Sequence, residues 1–358
     1  MDEILPYITG DGSIGLFNQE YDDIYHSSCG ALTEAYEKFV NPITVTKDEI
    51  RVLDVCYGLG YNSKAFLNTN ADKKIIFDCL DIDKYLIFLS PFIKTNHSFF
   101  DFFINRTKNI KFSKYINRGM YKKYKIEDWV NAILIKNIHN QFKDEFSINK
   151  ILSDKKFYPY LNKNIIKIAK FYQKNGYKDI KSVNKLAFLH NIYYRYVSKR
   201  DITFYFYVDD ARKTVKNLNY EYDYIFLDAF TTNKCPQLWS IDFIKELYRL
   251  TSPDGVLLTY SNSIVVRQTL LEAGYFIGKI INEDNKQIGT IASRDKNKIT
   301  NELTEYELGL LKTKAGIPYR DSSLDSSIEE ILSRRELEVK NSNLMSSSRY
   351  IKQKGVLK

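Results

Sequence analysis

The chain has 358 residues, enough to bury a full core and to carry a second unit beyond one sheet domain. Four scattered cysteines (Cys29, Cys56, Cys79, Cys235) form no CxxC pair, and with only four histidines a metal site has little to build from, so we expect reduced thiols and no bound metal. The N-terminus shows no signal-peptide pattern, and no apolar run approaches the roughly 18 residues of a membrane span; the expectation is a cytoplasmic protein.

Residues 1–49 begin with a polar turn, Thr9-Gly10-Asp11-Gly12-Ser13. Apolar residues Leu32, Ala35, Tyr36 and Phe39 then fall at helical spacing, with Pro42 after the stop. This predicts a short β-rich lead-in followed by one helix. A first core strand is expected over Ile50 to Val55. It runs into the turn Gly58-Leu59-Gly60, and a helical stretch from Ser63 to Asn68 comes next. Strand, tight turn, helix is the opening of a Rossmann-like nucleotide-binding sheet. The dinucleotide fingerprint needs a third glycine where this chain has Ser63, and Cys56 precedes the pair. A ligand without a pyrophosphate, such as S-adenosylmethionine, needs less glycine. The second strand, Ile75 to Leu80, ends in Asp81-Ile82-Asp83.

Residues 86–200 interrupt the alternation and are expected to form an inserted, aromatic-rich helical subdomain. Residues 101–200 hold 23 basic and 7 acidic side chains, a balance of +16, whereas the rest of the chain holds 30 against 37. A genome biased towards lysine would act along the whole chain and does not explain this asymmetry. A basic block beside a slightly acidic body suggests a polyanionic partner. Lys163, Lys167 and Lys170 share one helical face and are candidate phosphate contacts.

The alternation resumes at Ile202 to Val208 and Tyr222 to Leu227, followed by Asp209-Asp210 and Asp228 respectively. A helix is expected over Ile241 to Leu250. Pro253-Asp254-Gly255 is expected to turn into a strand Val256 to Tyr260, and a helix from Val265 to Ala273 to stop at Gly274. Tyr275 to Ile281 and Ile288 to Ala292 complete the strands, and strands alternating with helices imply a mostly parallel sheet. Beyond residue 300 comes a charged helical extension, opened by overlapping capping boxes at Ser326–Glu329 and Ser327–Glu330. Pairs Glu330–Arg334 and Glu336–Lys340 sit at i, i+4 along it. The expected domains are 1–49, a core of 50–85 with 201–300, the insertion 86–200, and the extension 301–358.

Three acids at successive strand ends point to a nucleoside-type ligand. Asp81, 21 residues after Gly60, suits ribose hydroxyls; Asp210 could receive an adenine amino group; Asp228 lies at the expected switch point of the sheet. Each has a plainer reading. Asp81 could be a turn acid or a helix cap, and Asp210 the cap of a helix from Ala211.

This arrangement resembles a class I S-adenosylmethionine-dependent methyltransferase, and more closely the methyltransferase half of the bacterial MnmC family. The resemblance rests on Asp11-Gly12-Ser13, Tyr25, Gly30, Glu34 and Phe39; on Tyr57, Gly58, Gly60 and Asn62; on Leu227, Asp228, Phe230, Lys234, Pro236 and Trp239; and on Arg267, Ala273 and Gly274. It covers residues 9–83 and 205–292. The departures are Cys56 for the first loop glycine, Cys235 for an asparagine, and Lys286-Gln287 for a longer K-R-E-M run. The family's flavin-dependent oxidase half has no counterpart here, so methylation without removal of a carboxymethyl group is expected.

The resemblance implies N-methylation of 5-aminomethyl-(2-thio)uridine at the tRNA wobble position, with S-adenosylmethionine as cofactor and tRNA as partner. On that reading Asp228 is the catalytic residue. Tyr25, Glu34, Gly58, Gly60, Asn62, Asp81, Asp210 and Ala211 hold the cofactor, and Phe230, Lys234 and Trp239 receive the substrate. Two other readings stay open: a spermidine-synthase-like aminopropyltransferase, suggested by Tyr25-His26, and a non-catalytic RNA-binding protein on a methyltransferase frame.

Overall fold

The computed structural model describes residues 4–18, 23–24, 30–70, 72–90, 93, 155–175 and 202–354. In chain order these form β1 (Ile4–Ile8), β2 (Ile14–Asn18), β3 (Asp23–Ile24), α1 (Ala31–Ala35, running on as a π turn over Tyr36–Val40), β4 (Glu49–Val55), α2 (Tyr61–Thr69), β5 (Lys74–Asp81), α3 (Lys84–Leu89) and α4 (Phe157–Lys174). They continue with β6 (Ile202–Val208), α5 (Ala211–Asn217), β7 (Tyr222–Leu227), a 3-10 turn (Pro236–Trp239), α6 (Ile241–Leu250), β8 (Thr251–Thr259), α7 (Ile264–Glu272), β9 (Phe276–Ile281) and β10 (Gln287–Ser293). The remaining helices are α8 (Glu305–Leu311), α9 (Ile328–Asn341) and α10 (Ser347–Gln353). One small sheet has the order β1-β2-β3, and a seven-stranded sheet the order β6-β5-β4-β7-β8-β10-β9. The pairs β5–β6, β4–β7 and β7–β8 are parallel, and β10 is antiparallel to both β8 and β9. This is the mostly parallel, Rossmann-like sheet of a class I methyltransferase.

The chain packs as two compact units. The first comprises Met1–Tyr36, Val45–Glu49 and Tyr57–Asp209. Its core strands carry the β-branched and aromatic side chains that a twice-covered sheet requires. Phe77 stacks on Phe204 at 4.5 Å, and Phe204 in turn on Phe206 at 6.0 Å. The insertion's described helix, α4, docks by Phe157, whose ring meets Tyr85 and Phe88 of α3 at 5.7 and 5.3 Å. The Asp11-Gly12-Ser13 stretch is a capping device. Asp11 Oδ1 accepts from Thr9 Oγ1 and the Ser13 N–H, closing the β1–β2 turn, while Oδ2 accepts from the Thr33 N–H at 2.7 Å. Ser13 Oγ accepts from the Ala31 N–H at 3.1 Å. Two of the free N–H groups at the N-terminal end of the short helix α1 are thereby supplied from a distant turn. Burial alone would raise the Asp11 carboxyl, but bonds from Ser13, Thr33 and Thr9 hold it well below the usual carboxylate range.

The second unit comprises Glu37–Thr44, Ile50–Cys56 and Asp210–Lys358. Its helices start on side-chain caps at Ser240, Ser263, Thr304 and Ser327. Of the two overlapping boxes expected in the extension, the one formed is Ser327–Glu330, with Glu330 reaching back to the Ser327 N–H at 2.8 Å. Neither expected i, i+4 ion pair forms. Glu330 is occupied by the cap, and Arg334 Nη1 donates to the Arg320 carbonyl at 2.9 Å instead. Pro253-Asp254-Gly255, expected as a turn before the strand, lies inside β8. The β7–β8 register jumps from Tyr222↔Thr251 to Tyr224↔Val256, and this irregularity absorbs the proline, which has no N–H for a ladder.

Candidate active site

In the first unit, the turn after β4 is pinned from several sides. Gly58 and Gly60 adopt left-handed φ values of 54° and 73°, and Cys56, just before the unit, does the same at 67°. A Cβ on Gly60 would run into the Tyr57 ring. The Tyr57 carbonyl accepts from the Gly60 N–H at 2.7 Å, and the Tyr57 N–H donates to the Leu80 carbonyl at the end of β5 at 2.9 Å. Asp81 holds the front of the turn, its Oδ2 accepting from the Gly58 N–H at 2.7 Å and its Oδ1 from the Asp83 N–H at 2.8 Å.

Asp81 is half-buried, and loss of solvent together with the Asp83 charge pushes its carboxyl up to about 7, against the pull of N–H donors from Asp83, Gly58 and Ile82. A carboxylate offers roughly four acceptor positions, and three donors leave room for one hydroxyl. The residues present therefore fit the ribose of a nucleoside ligand. Asn62 and Ser63, at the start of α2, are buried beneath the turn. Glu34 lies half-buried on α1, and Tyr25 falls outside the described residues.

In the second unit, β4 and β7 pair in parallel, and open α/β sheets bind ligands outside the carboxyl ends of such strands. The Asp228 N–H donates to the Val55 carbonyl at 3.3 Å, tying the first residue after β7 to the end of β4. The next two carbonyls are clamped: Tyr260 Oη donates to Ala229 O at 2.9 Å, and Trp239 Nε1 donates to Phe230 O at 2.7 Å. The two clamping rings meet edge to face at 6.2 Å. Asp228 and Phe230 are left half-buried on a fixed loop, with Lys234 exposed on the turn that follows. Trp239, expected to receive substrate, is only 1 % exposed, and its one N–H is spent on the loop.

Asp210 turns out to be a helix cap. Its Oδ1 accepts from the Arg212 N–H at 2.9 Å, and Arg212 Nε and Nη2 grip the carboxylate as a fork at 3.1 and 2.7 Å. Any adenine contact would share these oxygens with Arg212. The other arm of Arg212 reaches Asp321 Oδ2 at 2.7 Å and the Ser326 carbonyl at 2.9 Å. The extension is thereby locked onto α5, whose first residue, Ala211, is buried. Arg212 and Asp321 were not singled out in the sequence, because 109 residues separate them.

Arg267, matched by motif alone, is buried under the β8 end. It donates to Thr290 Oγ1 at 3.0 Å and Asn262 Oδ1 at 3.2 Å, and burial lowers its guanidinium from the ordinary value. Cys235 is buried and its thiol pushed up to about 12, which makes it an inert packing group. On α4, Lys163 and Lys170 are exposed and Lys167 is half-buried.

Residues 175–295 match the family described as S-adenosyl-L-methionine-dependent methyltransferase. An uncharacterized protein from Methanocaldococcus jannaschii is 26% identical over 331 residues, covering 92% of this chain and 70% of that protein. The tRNA 5-methylaminomethyl-2-thiouridine biosynthesis bifunctional protein MnmC from Campylobacter hominis is 30% identical over 144 residues, 40% of this chain but 21% of its own length. The crystal structure of MnmC2 from Aquifex aeolicus superposes with a TM-score of 0.59 at 22% identity, over 96% of this chain and 87% of that one. The family match over residues 175–295 is to an S-adenosylmethionine-dependent methyltransferase, and the fold of the chain is similar to that of MnmC2.

Proposed function

We propose that the protein methylates the amino nitrogen of 5-aminomethyl-(2-thio)uridine at the tRNA wobble position, giving 5-methylaminomethyl-(2-thio)uridine. The observation that carries this reading is the clamped loop after β7, which fixes Asp228 at the switch point through the Val55, Ala229 and Phe230 bonds. The bifunctional MnmC relative supports the substrate, since its name is that of 5-methylaminomethyl-2-thiouridine biosynthesis.

Bound S-adenosylmethionine supplies a methyl group to the lone pair of the amine and leaves as the neutral thioether. A primary amine is largely protonated in water and has no lone pair to offer until a proton is removed. Asp228 is positioned to accept a hydrogen bond from that amine, to orient it, and to take the proton whose removal frees the lone pair before the new N–C bond forms. Phe230 supplies a half-buried ring beside it, suited to a base splayed out of the anticodon stack. Lys234 and the exposed lysines of α4 supply phosphate contacts, which position the RNA without reading the base. On the cofactor side, Asp81 receives the ribose and the Gly58-Leu59-Gly60 turn receives the rest of the molecule.

The test is transfer of label from methyl-labelled S-adenosylmethionine to tRNA lacking the terminal methyl. Label should enter that tRNA and not the fully modified one, and Asp228→Asn should lower the rate far more than cofactor affinity. Equal labelling of both tRNAs, or of neither, overturns the proposal.

A further inference from the structure

One buried ionisable group takes no part in the chemistry above. Lys64 carries the single charge of α2, and it lies in the first turn of that helix, where unpaired N–H groups already make a cation unwelcome. It is 3 % exposed. Its ammonium donates to the Leu59 carbonyl at 2.6 Å and to the Ser90 carbonyl at 2.8 Å, with the Tyr61 ring 5.8 Å away. Among the described residues no carboxylate is paired with it. Burial pushes the ammonium down to about 7, so holding the charged form near neutral pH costs the fold stability. A residue that costs stability and has no counter-ion invites a functional explanation.

Its partners supply one. Leu59 is the middle residue of the glycine turn, between two left-handed glycines whose backbones resist few alternatives. The Leu59 carbonyl is held twice, by Lys64 Nζ and by Ser90 Oγ, both at 2.6 Å. Ser90 Oγ also meets Tyr57 Oη at 3.0 Å, so the node grips the turn at two of its residues. Asp81 holds the face of the turn towards β5; Lys64 and Ser90 hold its back.

We propose that Lys64 is a positioning residue for the cofactor, its buried ammonium fixing the Leu59 peptide so that the glycine turn is already in the shape that receives S-adenosylmethionine. The proposal rests on the reading of this turn as the cofactor site. A turn fixed before binding need not be ordered by the ligand, and that saving appears as affinity. Lys64→Met keeps the length and apolar stem, removes the misplaced charge and cuts the tether.

The experiment is calorimetric titration of the full chain with S-adenosylmethionine, alongside thermal unfolding without ligand. For Lys64→Met the melting temperature should hold or rise while the dissociation constant increases at least tenfold, with kcat at saturating cofactor close to the parent's. Ser90→Ala leaves the lysine in place but removes one tether on Leu59 and the link to Tyr57. It should weaken binding in the same direction by a smaller factor. Affinity within twofold of the parent in both variants overturns the proposal, as does a fall in melting temperature that accounts for lost binding. Failure of the parent itself to bind S-adenosylmethionine would overturn the cofactor reading, and the Lys64 assignment with it.

Discussion

Cofactor affinity should depend on pH through Asp81. The carboxyl titrates at about 7, and only its ionised form has a free lone pair for a ribose hydroxyl. If the protonated form binds poorly, the apparent dissociation constant is the intrinsic one divided by the ionised fraction. That fraction is about nine-tenths at pH 8 and about one-tenth at pH 6, so affinity should fall roughly tenfold between them. The sign follows from the raised value: proton uptake occurs as pH drops through 7, where an ordinary aspartate would stay charged to about pH 4. Asp81→Asn removes the titration and should bind about tenfold or more weakly than the parent at pH 8, with a flat profile. Titrating parent and variant calorimetrically at both pH values checks this, because titration of the ligand itself is common to both and cancels in the ratio. A slope that survives in Asp81→Asn would belong to Lys64, the other group brought near neutrality among the described residues of this unit. A parent whose affinity is the same at pH 6 and pH 8 would mean that Asp81 does not receive the ribose as a carboxylate.

Cys56 occupies a left-handed position that favours glycine. Cys56→Gly should therefore be neutral or stabilising, and Cys56→Val should destabilise by roughly 1–2 kcal/mol, read from denaturant midpoints. Trp239→Phe keeps a buried ring but strands the Phe230 carbonyl, at a cost of about 1–3 kcal/mol in stability. Its turnover should drop roughly tenfold with little change in cofactor affinity, as steady-state kinetics would show. Replacing Lys163, Lys167 and Lys170 together with Gln should weaken tRNA binding and make its logarithmic salt dependence shallower by roughly 2, leaving cofactor affinity unchanged. An unchanged slope in filter binding would mean that this face of α4 does not meet RNA.

The sheet was legible because its strands are written locally. Ile202–Val208 and Tyr222–Leu227 are runs of β-branched and aromatic residues, and both appear with the bounds their composition suggests. The glycine turn and the Ser327 capping box were legible for the same reason, since each is decided within a few residues. What escaped was decided by distance. Arg334 finds a better acceptor in the Arg320 carbonyl than its neighbour on the helix, and the grip of Arg212 on Asp321 joins segments with no shared pattern. Trp239 was found by its motif, but only the Phe230 carbonyl beside it shows that its N–H is already spent. Lys64 carried one signal, a lone charge in an otherwise uncharged helix start, and the meaning of that charge depends on Leu59 and Ser90 closing over it.

Nucleoside analysis would identify the atom that receives the methyl group. After reaction with S-adenosylmethionine, tRNA lacking the terminal methyl would be digested to nucleosides and each product weighed. 5-Aminomethyl-(2-thio)uridine should disappear and its N-methyl derivative take its place in equal amount, in the parent and far more slowly in Asp228→Asn. Methyl groups appearing on any other nucleoside, or a wobble uridine left unchanged while S-adenosylmethionine is consumed, would contradict the proposed function.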